Sequence, residues 1–148
     1  MSYDELSRAS MLYYPNGFST KNNYNSGSFL TSITNGATGS AYWTANTSNA
    51  RGQFTKYTLG NGLETHMNYV ENSGRINTIK TGMSPSQINI QNLSYSFDFI
   101  GNLKNRSNIN ANLSDAFTYD NINRLSTVTT TTLTTTVVNT YDYLSTPE

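Results

Sequence analysis

Cysteine is absent from these 148 residues, and proline occurs three times. Without cysteine there are neither disulfides nor thiolate metal ligands, and the redox character of the compartment leaves no mark on the sequence. Charge is equally scarce: nine basic residues balance nine acidic ones. No Lys/Arg cluster is present that could neutralise a run of phosphates, which argues against a nucleic-acid partner. No apolar stretch approaches the roughly 18 residues that a helical bilayer span requires. The first residues, MSYDELSR, have neither the basic nor the apolar region of a signal peptide. The expectation is that this segment inserts into no membrane and carries no signal peptide. The chain is long enough for one domain with a modest core.

What is plentiful is serine, threonine and asparagine, together some two fifths of the chain, with eleven tyrosines and six phenylalanines. Helix formers are few, and strand and turn formers many, so the composition reads as all-β. The aromatic residues stand in for missing aliphatics and predict a thin aromatic core.

The stretch SYSFDFIGNLKNRSNI, from Ser94 to Ile109, is nearly repeated by FTYDNINRLSTV, from Phe117 to Val128. Aligned on the aromatic before the turn, a frame emerges: an aromatic, an apolar residue six positions on, and another three beyond. Tyr3, Ala9 and Leu12 fit it, as do Tyr24, Leu30 and Ile33, and Tyr119, Leu125 and Val128; Tyr69, Ile76 and Ile79 fit with one inserted residue. Phe97 and Leu103 fit too, with Arg106 in the third place. Phe97, Tyr119 and Tyr141 are evenly spaced, which predicts a further, incomplete copy beginning at TYDYLSTPE, from about residue 141. Asn16-Gly17 and Asn61-Gly62 each precede a frame tyrosine and read as two-residue hairpin loops whose two residues both need positive φ. In DFIG and DNIN, Asp98 and Asp120 stand where a carboxylate accepts turn N–H groups, and Gly101 and Asn123 where a left-handed residue is tolerated. Each repeat is thus a β-hairpin, and fixed periods of this length signal stacked units. TVTTTTLTTTVVNTYDY is expected to be strand with a loop inside it, and no helix is expected. Thr34–Thr47 and Gly82–Asn92 fit weakly and read as longer loops or diverged strands.

These motifs resemble the YD repeats of the RHS family, found in bacterial polymorphic toxins, in the cocoon subunits of Tc toxins and in teneurins. YDELSR, FDFIGNLKNR, FTYDNINRLSTV and the final YDY carry the resemblance, and NARGQFTKYTLGNGLETHMNYVENSGRINTI is similar to the linked form of the repeat. The signature positions are Tyr3, Asp4, Tyr24, Gly62, Tyr69, Gly74, Asp98, Gly101, Tyr119, Asp120, Arg124, Tyr141 and Asp142. The resemblance implies tandem antiparallel hairpins forming a strip of a curled or spiral sheet, with residues 1–148 as one repeat region of a larger shell. It implies as partners the remaining repeats of that shell and an enclosed toxin domain, and a secreted or cell-surface location. The RHS core signature, autoproteolytic aspartates, an N-terminal plug and a C-terminal effector have no counterpart in this sequence.

Catalysis finds no constellation. His66 is the only histidine, and no G-x-S-x-G is present. Asp98 and Asp120 occupy equivalent repeat positions, whereas paired catalytic carboxylates need different environments. Gly60-Asn61-Gly62 is too short for a phosphate loop, and Asp120, Asn121 and Asn123 lack the EF-hand spacing. No metal or cofactor is expected. Arg8, Arg75, Arg106 and Arg124 recur after the turns and predict hydrogen bonds between repeats, to turn carboxylates or carbonyls. Tyr42 and Trp43 are the candidate contact residues for a ligand, with burial of the tryptophan as the competing fate. The non-enzymatic shell strip is therefore the leading reading, and an extracellular glycan- or protein-binding repeat module the alternative.

Overall fold

A computed structural model describes residues 1–143. Its strands are β1 (Ser2–Tyr3), β2 (Ala9–Tyr13), β3 (Ser19–Tyr24), β4 (Leu30–Asn35), β5 (Ala41–Ser48), β6 (Phe54–Leu59) and β7 (Glu64–Tyr69), followed by β8 (Ile76–Gly82), β9 (Gln91–Phe97), β10 (Leu103–Asn108), β11 (Leu113–Tyr119), β12 (Leu125–Thr131) and β13 (Thr136–Thr140). More than half of the described residues lie in strands, and none lies in a helix. The strands follow one another in chain order through a 13-stranded antiparallel sheet. The chain divides into two compact units, Met1–Met67 with Thr81–Gln87, and Asn68–Lys80 with the residues from Ile88 on.

The register explains the sequence frame. Tyr3 pairs with Ala9, Tyr24 with Leu30, Phe97 with Leu103, and Tyr119 with Leu125, so the interval of six is the closing pair of a hairpin. The following interval is three rather than two because the register shifts just after each closing pair. Ser10, Thr31, Lys104 and Ser126 are left over there as bulge residues, and the next frame residue returns to the face of the first. Leu125 and Val128 thus share a face although they are an odd number of residues apart. One copy escaped the frame: Ser48 pairs with Phe54, Thr55 is bulged, and Tyr57 follows, with serine where the aromatic was sought.

The turns share one backbone design. Ser7 N–H donates to Asp4 C=O, and Asp4 N–H to Arg8 C=O; the same pair of bonds closes Asn25–Phe29, Asn49–Gln53, Asp98–Asn102 and Asp120–Arg124. The fourth residue is left-handed each time, with φ of 60° at Ser7, 64° at Ser28 and Asn123, 75° at Gly52 and 106° at Gly101. The Asn-Gly turns obey this design too, which corrects the expectation of two-residue loops. In Tyr14–Phe18 only Gly17 has positive φ, 83°, and its N–H donates to Tyr14 C=O. This is a three-residue loop, a type I turn followed by a left-handed residue, so Asn16 needs no positive φ. The inserted residue of Val70–Arg75 lengthens that turn: Gly74 N–H reaches back to Val70 C=O at 2.7 Å. Thr34–Thr47 resolves into the end of β4, a tight turn and most of β5, and TVTTTTLTTTVVNT into β12, a turn and β13. The long connection is residues 83–90.

Pleating gives each unit two unlike faces. In the second unit Tyr95, Phe97, Leu103, Phe117, Tyr119 and Val128 share one face, while Ser96–Asn105 and Thr118–Thr127 pair on the other through side-chain hydrogen bonds of 2.9 and 2.6 Å. In the first, Tyr24, Leu30 and Ile33 share a face and Asn23 bonds Ser32 on the other at 3.1 Å. The expected aromatic core is corrected: among the described residues no apolar side chain is buried, and those that are buried include Thr65, Thr81, Asn92 and Asp115. One layer of sheet leaves its aromatic residues half-covered by their neighbours alone.

Candidate functional site

Several residues of the repeat signature meet in one arrangement, complete at the Asp4–Arg8 and Asp120–Arg124 turns, a staple that closes the hairpin and reaches toward the next. At the first turn Asp4 Oδ1 accepts the N–H groups of Leu6 and Arg8 at 3.0 and 2.9 Å, and Oδ2 accepts Arg8 Nε at 2.7 Å. Asp120 repeats this with Ile122 N–H, Arg124 N–H and Arg124 Nε at 3.0, 2.9 and 2.7 Å. Asp98 gathers three N–H groups on Oδ1, from Ile100, Gly101 and Asn102. The Arg8 N–H, joined by its guanidinium, holds the Asp4 carboxyl below its usual range against the desolvation that pushes it up, and Arg124 does the same for Asp120. At Asp98 desolvation pushes up, and the N–H groups of Asn102 and Gly101 outweigh it.

Held by its own turn, the arginine lies over an aromatic ring of the following repeat. Arg8 sits 4.4 Å from the Tyr24 ring centroid and Arg75 5.7 Å from that of Phe97. The tyrosine reaches back: Tyr24 hydroxyl donates to Ala9 C=O, and Tyr119 hydroxyl to Leu103 C=O, both at 2.9 Å. The carboxylate contacts of Arg8 and Arg124 are therefore within a turn, not between repeats as expected; stacking and tyrosine hydroxyls make the link, with one further bond from Arg8 to Ser28 Oγ at 3.0 Å. At the last copy Arg124 lies 4.4 Å from the centroid of Tyr143. Tyr141, where even spacing begins a further copy, donates its N–H to the bulged Ser126 C=O, and the ring beside Arg124 is that of Tyr143. The rest of that copy, Leu144 to Glu148, lies outside the described residues.

No family model matches this sequence, and no curated protein does. Solved structures do. The Photorhabdus luminescens Tc holotoxin pore superimposes with a TM-score of 0.76 at 22% identity over 86% of this chain and 6% of its own. The TcdB2-TccC3 crystal structure gives 0.76 at 22%, over 86% and 7%. TcdB2-TccC3 without its hypervariable C-terminal region gives 0.75 at 23%, over the same shares. This chain has the fold of a strip of those Tc toxin chains. The superposition agrees with the resemblance read from the tyrosine-aspartate motifs, and the strip spans 6% to 7% of the matched chains.

Other positions in the strip fall as follows. Tyr69 ends β7, and burial pushes its phenol up. Gly62 is the left-handed residue of the Leu59–Leu63 turn. His66 lies on β7, its Nε2 3.2 Å from Glu64 Oε2, while Lys56 Nζ meets Glu64 Oε1 at 2.8 Å. Those contacts, Lys56 first, lower the Glu64 carboxyl. Among the described residues no group of histidine, aspartate and glutamate is arranged to hold a metal. Tyr42 and Trp43 adjoin on β5, where Trp43 pairs with Ile33 and Ala41 with Thr34, so Tyr42 is left over as a bulge residue and the two rings meet different partners. Trp43 is half-buried, edge-on to Phe54 at 5.1 Å and tilted on Tyr57 at 6.0 Å; Tyr42 is exposed, its hydroxyl accepting from Asn35 Nδ2 at 2.8 Å.

Sequence reasoning missed two features. Asn49 caps its turn through Arg51 and Gln53 N–H groups at 3.0 and 3.1 Å, as the aspartates do. Asp115, 4% exposed, bridges three strands: Thr130 Oγ1 donates to Oδ1 at 2.7 Å, and Arg106 Nε and Nη2 to Oδ2 at 3.0 and 2.7 Å. Burial raises the Asp115 pKa, and Thr130 together with Arg106 brings it below the ordinary value. The signals were present, since Arg106 and Asp115 each break an apolar alternation and lie opposite one another in register.

Proposed function

We propose that the chain is a non-enzymatic repeat segment of an RHS/YD shell whose role is to enclose a toxin or effector domain, in a protein that acts outside the cell or at its surface. The observation that carries this reading is the superposition on Tc toxin chains over 86% of the chain. Supporting it, the distinctive residues are used up by turn caps, stacking and hairpin closure, and each unit presents an apolar face that its own single layer leaves half-covered. On this reading residues 1–148 are one repeat region continued by further repeats, and Tyr3, Asp4, Asp98, Tyr119, Asp120 and Arg124 are structural. The test is the native reading frame expressed whole and treated with protease. A downstream segment protected until denaturant is added supports enclosure. A frame of 148 codons, or a downstream segment digested as fast as an unfolded control, overturns it.

A further inference from the structure

The staple leaves one group of aromatic residues unused. In the first unit the rings of Tyr14 and Phe18 lie 5.4 Å apart and those of Phe18 and Tyr42 5.9 Å apart, tilted by 42° and 56°. These three side chains remain 37% to 43% exposed. Tyr14 and Phe18 close the β2–β3 turn through their backbones, which leaves their rings outside its hydrogen bonds. Beside Tyr42 an open hollow is lined by Ser40, Ala41, Tyr42, Leu59, Gly60 and Asn61. Gly60 gives it its form: its N–H donates to Tyr42 C=O at 2.8 Å, and a Cβ there would collide with the Ala41 carbonyl oxygen, so the two turns meet backbone to backbone. The Tyr42 ring is fixed in place by the bond from Asn35 Nδ2 at 2.8 Å.

We propose that this row of rings and the hollow beside it form a binding site for a neutral sugar ring. Three features select that occupant. Exposed, mutually braced rings offer flat apolar faces at little entropic cost. Ser40 and Asn61 line the same hollow as Tyr42 and Leu59, their side-chain oxygens steadied by Thr38 Oγ1 and Leu63 N–H, so polar groups adjoin apolar ones where a ligand carrying both C–H faces and hydroxyls would meet them. The turns Tyr14–Phe18, Asn35–Ser40 and Leu59–Leu63 hold no charged residue, and the adjoining Glu64 is already occupied by Lys56 and His66. A phosphorylated or carboxylated ligand would find no counter-charge. The site lies within one unit and stands apart from the proposed enclosure, so either reading can fail alone.

The experiment uses the 148-residue chain with cellotriose, maltotriose and triacetylchitotriose as probes, and decaproline as the competing peptide chemistry, read by saturation-transfer NMR. Expected is transfer to the ring protons of at least one trisaccharide, with a dissociation constant weakened at least tenfold in Tyr42→Ala and in Phe18→Ala, and unchanged in Trp43→Phe, whose ring packs on Phe54 and Tyr57 outside the row. Circular dichroism checks that each variant keeps its sheet; should Tyr42→Ala lose it, Tyr14→Ala, altered in a turn, takes its place. No transfer from any trisaccharide, equal affinity in the aromatic variants, or binding of decaproline alone would overturn the proposal.

Discussion

At the scale of the residue, the carboxylates carry the conditional part of the stability. Asp4 and Asp120 each combine a turn cap with an ion pair, and these contributions separate by substitution. Asp120→Asn keeps an oxygen for the Ile122 and Arg124 N–H groups and loses only an exposed ion pair, of the kind that contributes little. Asp120→Ala removes both. The expected order of thermal midpoints is wild type close to Asp120→Asn, with Asp120→Ala clearly below. Asp115 differs in being buried between Arg106 and Thr130. Asp115→Ala should cost about 2 kcal/mol in urea denaturation, the scale of losing hydrogen bonds to a charged group. The pH dependence follows from the same groups. Unfolded, the carboxyls titrate at ordinary values of 3.8 for aspartate and 4.5 for glutamate; folded, Asp4, Asp98, Asp115, Asp120 and Glu64 all lie lower. The unfolded chain then binds more protons in acid, so stability is complete above these values and falls as pH drops through 4.5 and 3.8 toward the folded ones. A denaturation midpoint that is flat or rising between pH 6 and pH 3 (about that window) would contradict this assignment.

At the scale of the element, the hairpin is governed by its fourth turn residue and its bulge. Ser7 holds φ at 60° with a side chain that a left-handed backbone disfavours. Ser7→Gly should stabilise the chain by about 0.5–1 kcal/mol and Gly17→Ala destabilise it by about the same amount, as measured by thermal melts. The hairpin is also where the sequence was most legible. An interval of six is a closing pair whatever its side chains, so Tyr3, Tyr24, Phe97 and Tyr119 could be placed from spacing alone. The Ser48 copy was hidden because its leading residue is not aromatic, though Phe54 and Tyr57 follow at the right intervals. The bulge could not be read as such: Ser10, Thr31, Lys104 and Ser126 share no chemistry, and only the register sets them apart. The copy that even spacing begins at Tyr141 would close at Pro147, outside the described residues, while the β12–β13 pairing runs from Thr127–Thr140 to Thr131–Thr136 and the ring beside Arg124 is that of Tyr143. The separate surroundings of Tyr42 and Trp43 follow from a register shift at Tyr42 that the weak frame over Thr34–Thr47, read as a longer loop or diverged strand, could not reveal.

At the scale of the whole molecule, stability comes from ladders and half-covered faces rather than from an interior. Among the described residues no apolar side chain is buried, while Val137 and Val138 of β13 are 53% and 58% exposed. β13 stands at the end of the strand order, and TVVNT contains no charge, no proline and no glycine. Its pairing with β12 runs without a register shift from Thr127–Thr140 to Thr131–Thr136. A regular, uncharged edge rich in β-branched residues lacks the devices that keep edges from pairing with another chain. β1 is blunted by comparison, with two residues and a register shift between them. The 148-residue chain on its own is therefore expected to associate through β13, with a mass by light scattering that rises above the monomer as concentration increases. Val138→Lys places a charge on that edge and should return the mass to that of a monomer, with the sheet signal in circular dichroism retained. Extending the chain with further repeats should raise its thermal midpoint, because each added interface covers apolar surface while the number of edges stays the same. A chain that is monomeric at every concentration, with a midpoint unmoved by extension, would mean that the ladders alone suffice and that the half-covered face needs no neighbour.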